Sequence, residues 1–275
     1  MAGGQPYSAL RKWDSDMDLQ LTDQVIFVAG SSRGIGRAIA ASLLVEGASV
    51  VLSGRDTGAL HSAQVDMNAL ASEQRVLVVQ GDLSDPAVVA RGFEETLTHF
   101  GKIDHLIANL GTGSGKPGWQ QSEDEWHRLF EANFFASVRL TEAALPHLLS
   151  NRNGGSILYI SSIVAIEATL APLPYSAAKA ALNNYAKNLA RQLGPLKIRV
   201  NTIAPGNIFF PGGSWERHLN TRRDAVEMML KTEVPQQRFG SPQEIASLAA
   251  YLCSAQAGFA TGACYVMDGG QTRSI

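Results

Sequence analysis

The stretch Val25-Ile26-Phe27-Val28-Ala29-Gly30-Ser31-Ser32-Arg33-Gly34-Ile35-Gly36 decides the fold. Its apolar residues run into glycines, a pattern typical of a buried parallel strand, and residues 35–46 follow with apolar side chains at helical spacing. The glycines let the turn approach a ligand closely, and the helix N-terminus offers free N–H groups to a pyrophosphate. The spacing is not that of the general dinucleotide fingerprint, so a plain tight turn is the alternative. The flanking strand and helix favour nucleotide binding.

Strand and helix patterns alternate along the rest of the chain. Short apolar runs predict further strands at 49–53, 76–79, 105–108, 156–161, 199–204 and 264–267. Helices are predicted at 57–70, from Asp85-Pro86 to near Gly101, from 122 toward 149, at 175–193 and at 241–253. The alternation predicts an α/β fold: a single doubly wound Rossmann-type domain whose seven-stranded, mostly parallel sheet has helices on both faces. We expect a flexible N-terminal arm over 1–20, one domain over 21–275, and a substrate lid in the long irregular stretch at about 207–235.

Local signals indicate where several helices begin and end. Residues 122–125 and 241–244 each read as a capping box, in which a serine and a glutamate three residues later cap the helix reciprocally. Asp85 with Pro86 predicts another helix start, and Gly101 its end. Pro146 is expected to bend or end the last turn of its helix.

Composition excludes several classes of protein. With 23 basic and 25 acidic residues among 275, the net charge is −2, and no basic stripe is present to bind nucleic acid. No apolar run is long enough for a membrane span, and the start has no signal-peptide core, so we expect a cytoplasmic protein. The histidines and the two cysteines show no metal-ligand spacing, so no metal site is predicted. A charged fraction of only 17% suggests surface hidden in an oligomer.

The end of the second strand indicates which dinucleotide would bind. An acidic residue at this point would hold the ribose 2′-hydroxyl of NAD, whereas an arginine accommodates the 2′-phosphate of NADP. Arg55 stands there, and Arg33 in the glycine loop is within reach of the same phosphate. The alternative is that Arg55 is an ordinary exposed charge and Asp56 is the ribose ligand. The sequence therefore favours NADP(H), with NAD(H) as the second choice.

Tyr175 and Lys179 are four residues apart on a predicted helix and so lie on one face. A neighbouring ammonium favours the phenolate, so we expect Lys179 to lower the pKa of Tyr175 and make it a usable acid or base. Such a pair is common on solvated helix faces, but Ser162 precedes it at the end of the fifth strand, where an open α/β sheet places its ligand crevice. Asn109 and Asn133 are polar residues in apolar surroundings, and a structural hydrogen-bond network is their simplest role.

Taken together, these motifs resemble the short-chain dehydrogenase/reductase family over about 21–271, most of all its 3-oxoacyl-carrier-protein-reductase-like subgroup. The matches follow one another at family spacing: Gly30 to Gly36, Asp82, Ala108-Asn109-Leu110-Gly111, Asn133, Ser162, Tyr175 with Lys179, Pro205-Gly206 and Asp268-Gly269-Gly270. Two departures concern the cofactor: Ala29 replaces a usual threonine, and the threonine that usually follows Pro205-Gly206 is missing from Asn207-Ile208-Phe209-Phe210.

The resemblance implies a role for each matched residue. Tyr175 would exchange the proton of the alcohol, Ser162 would hydrogen-bond the carbonyl oxygen, and Lys179 would bind the nicotinamide ribose and acidify Tyr175. Asn133 would hold a water in a proton relay behind Lys179. The implied cofactor-binding residues are Gly30, Ser32, Arg33, Gly34, Ile35, Gly36, Arg55, Asp82, Leu83, Asn109, Tyr175, Lys179, Pro205, Gly206 and Ile208.

The expected function is NADPH-dependent interconversion of a ketone and a secondary alcohol, with Tyr175 as general acid and base. A 3-oxoacyl thioester reductase, a keto-sugar reductase and a non-catalytic NADP(H)-binding sensor remain as alternatives. The substrate would be a small molecule chosen by the loop at 111–119, by 163–174 and by the lid. Basic residues of the lid, such as Arg217 and Arg222, would meet a substrate anion or simply form a solvated helix face. The resemblance also implies a homodimer or homotetramer formed through the helices at 122–149 and 175–193.

Overall fold

A computed structural model describes residues 18–116 and 118–274. The strands are β1 (Val25–Ala29), β2 (Ser49–Gly54), β3 (Val76–Gln80), β4 (His105–Ala108), β5 (Gly155–Ile160), β6 (Ile198–Pro205) and β7 (Cys264–Met267). The α-helices are α1 (Gly34–Val45), α2 (Thr57–Leu70), α3 (Pro86–Phe100), α4 (Glu123–Phe130), α5 (Ala136–Ser150), α6 (Leu173–Leu193), α7 (Ser214–Glu233) and α8 (Pro242–Cys253).

The strands form one seven-stranded sheet in the order β3-β2-β1-β4-β5-β6-β7. Every pairing is parallel, which confirms the predicted doubly wound architecture. The order reverses between β1 and β4, because β2 and β3 extend the sheet one way and β4 to β7 the other. In such a sheet the ligand crevice lies outside the carboxyl ends of the strands at this reversal.

Alternate side chains of each strand enter two separate apolar layers. In β1, Ile26 and Val28 pack beneath α1, α2 and α8, while Phe27 packs on the opposite face beneath α3, α5 and α6. Both strand faces are therefore buried, which explains why the strands read as continuous apolar runs rather than as alternating patterns. This arrangement holds the carboxyl ends of all seven strands in one rigid edge.

Most of the predicted helix signals are present. The Asp85 carboxylate accepts the Ala87 N–H at 2.8 Å, and Gly101 ends α3 with φ +76°. Ser241 and Glu244 form the complete capping box. At 122–125 only half of the predicted box forms: Ser122 accepts the Glu125 N–H, but the Glu125 carboxylate pairs with Arg128 instead.

The predicted helix from 122 toward 149 is confirmed as a helical run from Glu123 to Ser150 that contains one π turn. A π-helical turn, Glu131–Phe135, separates α4 from α5. Pro146 lies inside α5, which continues to Ser150, so the proline does not end the helix. The π turn contains Asn133, which is fully buried. π turns are often found at functional sites, where they redirect a side chain.

The stretch at 207–235 is mainly helical and not irregular. It contains α7, whose backbone leaves helical geometry at Arg222 (φ −153°, ψ 50°). Its only buried residue is Val226, so the apolar pattern that reveals a packed helix is almost absent from its sequence. The basic residues of this segment therefore lie on a solvated helix face, one of the two alternatives given above.

The predicted N-terminal arm lies mostly outside the described residues. Of its last residues, Leu19 packs against the apolar layer beneath α1, and the Asp18 carbonyl accepts a hydrogen bond from Gln256 at 2.9 Å. Among the helices that the structure describes, none is both long and apolar enough to cross a membrane.

Candidate active site

The predicted site residues converge because every strand points the same way. Gly30 follows β1, Arg55 follows β2, Asp82 follows β3, Asn109 follows β4 and Ser162 follows β5. Since the carboxyl ends of parallel strands share one edge, these residues line a single crevice. The topology thus brings the nucleotide motif and the catalytic candidates to the same edge of the sheet.

The glycine loop is fixed tightly against the end of β4. Gly30 adopts φ +67°, and a Cβ there would lie 2.4 Å from the carbonyl oxygen of Asn109. The Asn109 amide in turn donates to the Gly30 carbonyl at 2.9 Å. A Cβ on Gly36 would lie 2.3 Å from the same Gly30 carbonyl. Backbone and helix therefore approach each other at a separation that only glycine permits.

Two serines that sequence analysis did not select also hold this loop. The Ser31 hydroxyl donates to the Val28 carbonyl at 2.7 Å and accepts the Ser53 N–H at 2.9 Å. The Ser53 hydroxyl accepts the Gly30 N–H at 3.1 Å. Both serines are fully buried. The sequence gave no signal for these roles, because two of the three hydrogen bonds join residues more than 20 positions apart.

The loop and the start of α1 fit a dinucleotide. The first turn of α1 contains no acidic side chain, and no side chain caps it. Its unpaired N–H groups and positive dipole end are therefore available to a phosphate. A Cβ at Gly30, Gly34 or Gly36 would collide with protein atoms, so the three glycines set the close packing of this loop. Ser32 lies beside Gly54, so the loop also contacts the end of β2.

Arg55 and Asp82 meet at the far end of the crevice. Their ion pair is long, at 3.4 Å, and the two side chains are 77% and 49% exposed. Such a pair contributes little to stability, so the guanidinium can exchange this partner for a phosphate. Although burial opposes it, hydrogen bonds from Ser84 and the charge of Arg55 hold the pKa of Asp82 below its ordinary value. Arg33 is exposed at the N-cap of α1.

The competing ribose ligand, Asp56, has a structural role. Its carboxylate accepts the Ala59 N–H at 2.8 Å and caps α2. Next along this side, Leu83 is buried beneath the loop after β3. At the end of β2, Arg55 is thus the charged residue whose side chain is exposed and only weakly paired.

Lys179 is almost completely buried and has no carboxylate partner among the described residues. Its ammonium donates to the Ile160 carbonyl at 2.9 Å and to the Leu110 carbonyl at 3.2 Å. Burial lowers the pKa of Lys179 from 10.5 to about 8. Two of its three N–H donors are used by the protein, and one remains for a ligand.

Asn133 holds the loop in front of Lys179. Its amide oxygen accepts the Thr112 N–H at 3.0 Å, and its amide nitrogen donates to the carbonyls of Thr112 and Leu129. Both N–H donors of the side chain are therefore taken by backbone. A Cβ on Gly111 would lie 2.3 Å from the Asn133 oxygen and 3.1 Å from the Lys179 nitrogen, so glycine is required there. Gly111 lies in the motif at 108–111, but its sequence position alone predicts no role for it.

Tyr175 and Ser162 lie next to each other at the start of α6. Burial raises the pKa of Tyr175 above 10, and the nearby Ser162 hydroxyl opposes the rise. The expected lowering by Lys179 is absent, so that expectation was wrong. The ammonium donates to two carbonyls, and removal from water dominates the tyrosine instead. Tyr175 is thus a phenol at neutral pH, which is the form that donates a proton.

The loop after β4 covers the tyrosine. A Cβ on Gly113 would lie 3.6 Å from the Tyr175 ring, and one on Gly115 would lie 2.9 Å from Pro172. The predicted substrate segments at 111–119 and 163–174 therefore contact each other around Tyr175. No cluster of three or more potential metal ligands is present in the described part of the chain.

The start of the lid closes the other side. Gly206 packs on Asp268, where a Cβ would lie 2.7 Å from the aspartate Cβ, and Ile208 is buried against Gly240. Pro205 ends β6 beside them. The ring of Phe210 lies directly over Gly34, at 2.7 Å from the position of a Cβ. Where a threonine was expected after Pro205-Gly206, an aromatic ring thus covers the glycine loop.

Comparison with known proteins gives close matches over most of the chain. A family model described as Enoyl-(Acyl carrier protein) reductase matches residues 29–272. A 3-oxoacyl-[acyl-carrier-protein] reductase of Aquifex aeolicus is 31% identical over 255 residues, covering 92% of this chain and 99% of the relative. The structure of L-sorbose reductase from Gluconobacter frateurii, complexed with NADPH and L-sorbose, has a TM-score of 0.87 at 32% identity and covers 94% of this chain and 100% of its own.

A third match has a different cofactor. A 7α-hydroxysteroid dehydrogenase complexed with NADH and 7-oxo glycochenodeoxycholic acid has a TM-score of 0.85 at 28% identity, covering 94% of this chain and 97% of its own. Acyl thioester, sugar and steroid thus appear in the names of proteins about equally similar to this chain. Overall similarity therefore does not select a substrate.

Proposed function

The chain belongs to the short-chain dehydrogenase/reductase family, an NAD(P)-dependent group acting on alcohols and carbonyls, and on this basis we propose an NADPH-dependent reductase of ketones that uses Tyr175 as its acid. The observation that carries the proposal is the meeting of Ser162, Tyr175 and Lys179 with the glycine loop at one sheet edge. A binding protein needs the loop, but it does not need the other three.

The residues of the chain divide the work of reduction between them. A bound dinucleotide supplies the hydride. The Ser162 hydroxyl hydrogen-bonds the substrate oxygen where negative charge develops. Tyr175 gives its proton to that oxygen, which becomes the alcohol. Lys179 offers its remaining N–H to the ribose, and its positive charge stabilises the phenolate left on Tyr175.

The proposed proton relay keeps the expected water behind Lys179 but does not use the N–H groups of the Asn133 side chain. Both N–H donors of its side chain hold backbone carbonyls, so Asn133 acts by fixing the loop and the space behind Lys179. The next proton reaches Tyr175 through water on the backbone of the π turn. A π turn leaves carbonyl oxygens without their regular helical partners, and these are suited to hold water.

NADPH rather than NADH is the proposed cofactor. Arg55 lies at the end of β2 with a weak, exposed partner, and Asp56 is already used as a helix cap. Both facts favour a 2′-phosphate over a bare ribose. Exposed Arg33 provides a second cation on the same side of the loop.

Two substrate classes deserve a direct comparison. A 3-oxoacyl thioester and a keto-sugar each correspond to a relative named above. The aromatic rings of Phe209, Trp215 and Phe239 pack together on the lid side. Leu170 and Leu173, the latter at the start of α6, are exposed in the chain before Tyr175. Because these side chains are apolar, we favour a ketone with an apolar substituent over a sugar.

The test is NADPH oxidation over a panel of ketones, 3-oxoacyl thioesters and keto-sugars, with NADH in parallel. We expect turnover with NADPH, and we expect Arg55→Ala to weaken NADPH binding about ten-fold or more while leaving NADH binding unchanged. Arg152→Ala, which removes an exposed arginine from the turn before β5, is the matched control. Equal use of NADH by the wild type would reject the role of Arg55. NADPH binding without turnover on any substrate would favour the sensor.

We also propose that two chains associate through the surface formed by α4, α5 and α6. Trp126 and Phe135 on this surface are 37% and 44% exposed. Aromatic side chains exposed together on adjacent helices are typical of protein interfaces. Sedimentation should therefore give at least a dimer, and a monomer at micromolar concentration would contradict the assignment.

A further inference from the structure

Residues 271–274, which we call the strap, connect three parts of the site that are far apart in the chain. The strap begins after β7, where Asp268 accepts the Thr272 N–H at 2.7 Å. Gln271 accepts a hydrogen bond from Asn207, the first residue of the lid, at 2.9 Å. Arg273 pairs with Glu233, the last residue of α7, at 3.3 Å. The strap thus contacts both ends of the lid.

The other end of the strap binds a single carboxylate. One oxygen of Glu167 accepts the N–H groups of Arg273 and Ser274, each at 3.2 Å, and the Ser274 hydroxyl at 3.0 Å. Hydrogen bonds to an ionised acceptor are stronger than those between neutral groups. The same hydrogen bonds, the hydroxyl first, hold the pKa of Glu167 below its ordinary value.

Glu167 is connected directly to the catalytic serine. Its N–H donates to the Ile163 carbonyl at 2.9 Å, and the Ala165 N–H donates to the Ser162 carbonyl at 3.1 Å. The segment from Ser162 to Glu167 is therefore one hydrogen-bonded turn. Whatever holds the Glu167 carboxylate also holds the backbone that carries Ser162.

We propose that Glu167 is a positioning residue, which through the strap holds the loop after β5 and the lid at a fixed separation around the substrate. This inference rests on the proposed function for its kinetic consequence but not for its structural one. The loop carries Ser162, and the lid carries Phe210 over the glycine loop. Both walls of the substrate space are therefore tied to one four-residue segment.

The strap is suited to adjust substrate binding rather than to support the fold. The Arg273–Glu233 pair is exposed, with side chains 80% and 50% accessible, so it contributes little to stability alone. Releasing Glu167 leaves both apolar layers of the sheet untouched. The release frees the loop after β5 and the lid. The separation of these two walls decides how well a ketone fits between them.

Glu167→Ala is the variant that tests the proposal. We expect the KM for the ketone to rise roughly five- to ten-fold, with a smaller change in NADPH affinity, because the glycine loop keeps its own contacts while the lid shifts. Glu167→Gln keeps an acceptor oxygen, so its KM should lie between those of the wild type and Glu167→Ala. Glu94→Ala, which removes an exposed glutamate from α3, is the matched control and should match the wild type.

A double-mutant cycle shows whether the effect passes through the strap. Ser274→Ala removes one of the three hydrogen bonds and should raise the KM by a smaller factor. In the Glu167→Ala background it should have almost no further effect. Additive effects of the two substitutions would overturn the proposal, as would an unchanged KM in Glu167→Ala.

Hydrogen exchange of the full chain without substrate separates this inference from the proposed function. Glu167→Ala should speed amide exchange in 163–172 and 207–240 and leave β1 and α1 unchanged. Unchanged exchange in both walls would overturn the strap whatever the activity. If no ketone is turned over but exchange changes as expected, the proposed function fails and the strap stands.

Discussion

Lys179→Met offers a quantitative test of how the site treats its buried charge. Burial lowers the pKa of this lysine from 10.5 to about 8. Between these values the unfolded chain holds the proton and the folded chain does not. Unfolding therefore takes up a proton, and raising the pH makes it less favourable. The contribution of Lys179 to stability should rise with pH through this window.

The magnitude follows from the two pKa values. The slope approaches about 1.4 kcal/mol per pH unit above pH 8, and the rise from pH 7 to pH 9 is about 1.3 kcal/mol. Methionine has a similar length but no charge, so the variant lacks this rise. It also leaves the carbonyls of Leu110 and Ile160 without their donor, at a cost of about 1–3 kcal/mol each that does not depend on pH.

The assay is urea unfolding of both proteins at pH 7, 8 and 9, at one protein concentration and without cofactor. Other groups also differ in pKa between the folded and unfolded chains, among them buried Cys253, whose pKa burial raises from 9.0 to about 11. They cancel when the variant is subtracted from the wild type. Lys187→Met, from the exposed side of the same helix, controls for loss of a lysine. A wild-type-minus-Lys179→Met difference that stays flat or falls with pH would refute the reasoning.

Two further substitutions test the packing that positions the site. Gly36→Ala places a Cβ 2.3 Å from the Gly30 carbonyl and 2.6 Å from the Asn109 amide nitrogen. Overpacking and the disturbed hydrogen bond should lower the free energy of unfolding in urea by about 2–4 kcal/mol and abolish tight NADPH binding. Wild-type stability of this variant would contradict the close packing of the glycine loop. Tyr159→Phe removes a buried hydroxyl that lies 2.6 Å from the Thr141 hydroxyl. The variant should lose about 1 kcal/mol of unfolding free energy and keep its cofactor affinity. A loss of affinity would show that packing in the core beneath the sheet affects the cofactor site.

Elements of the fold could be predicted where a short stretch of sequence was enough to indicate them. β1 and its glycine loop were clear from the sequence, because an apolar run and glycines are needed at that point whatever surrounds them. The strand β3 was predicted at 76–79 and found at Val76–Gln80. Helix α7 was missed, since only Val226 faces the core and a solvated helix carries little periodic signal.

The site was predictable in its members but less so in its energetics. The spacing of Tyr175 and Lys179 suggested a charge effect between them, yet burial raises the pKa of Tyr175. Burial depends on the tertiary packing of the loop after β4, which no short stretch of sequence reveals. The π turn at Asn133 was not predicted for the same reason: the Asn133 side-chain amide hydrogen-bonds Thr112, which is distant in the chain.

The most direct test of the central claim is turnover by Tyr175→Phe, measured beside NADPH affinity on the same sample. The substitution removes only the hydroxyl and keeps the ring that packs against Gly113. If Tyr175 is the acid, reduction of the ketone used best by the wild type should fall by about 10²–10⁴-fold with the NADPH dissociation constant unchanged. Turnover within a few-fold of wild type would contradict the account, because the proton would then come from elsewhere.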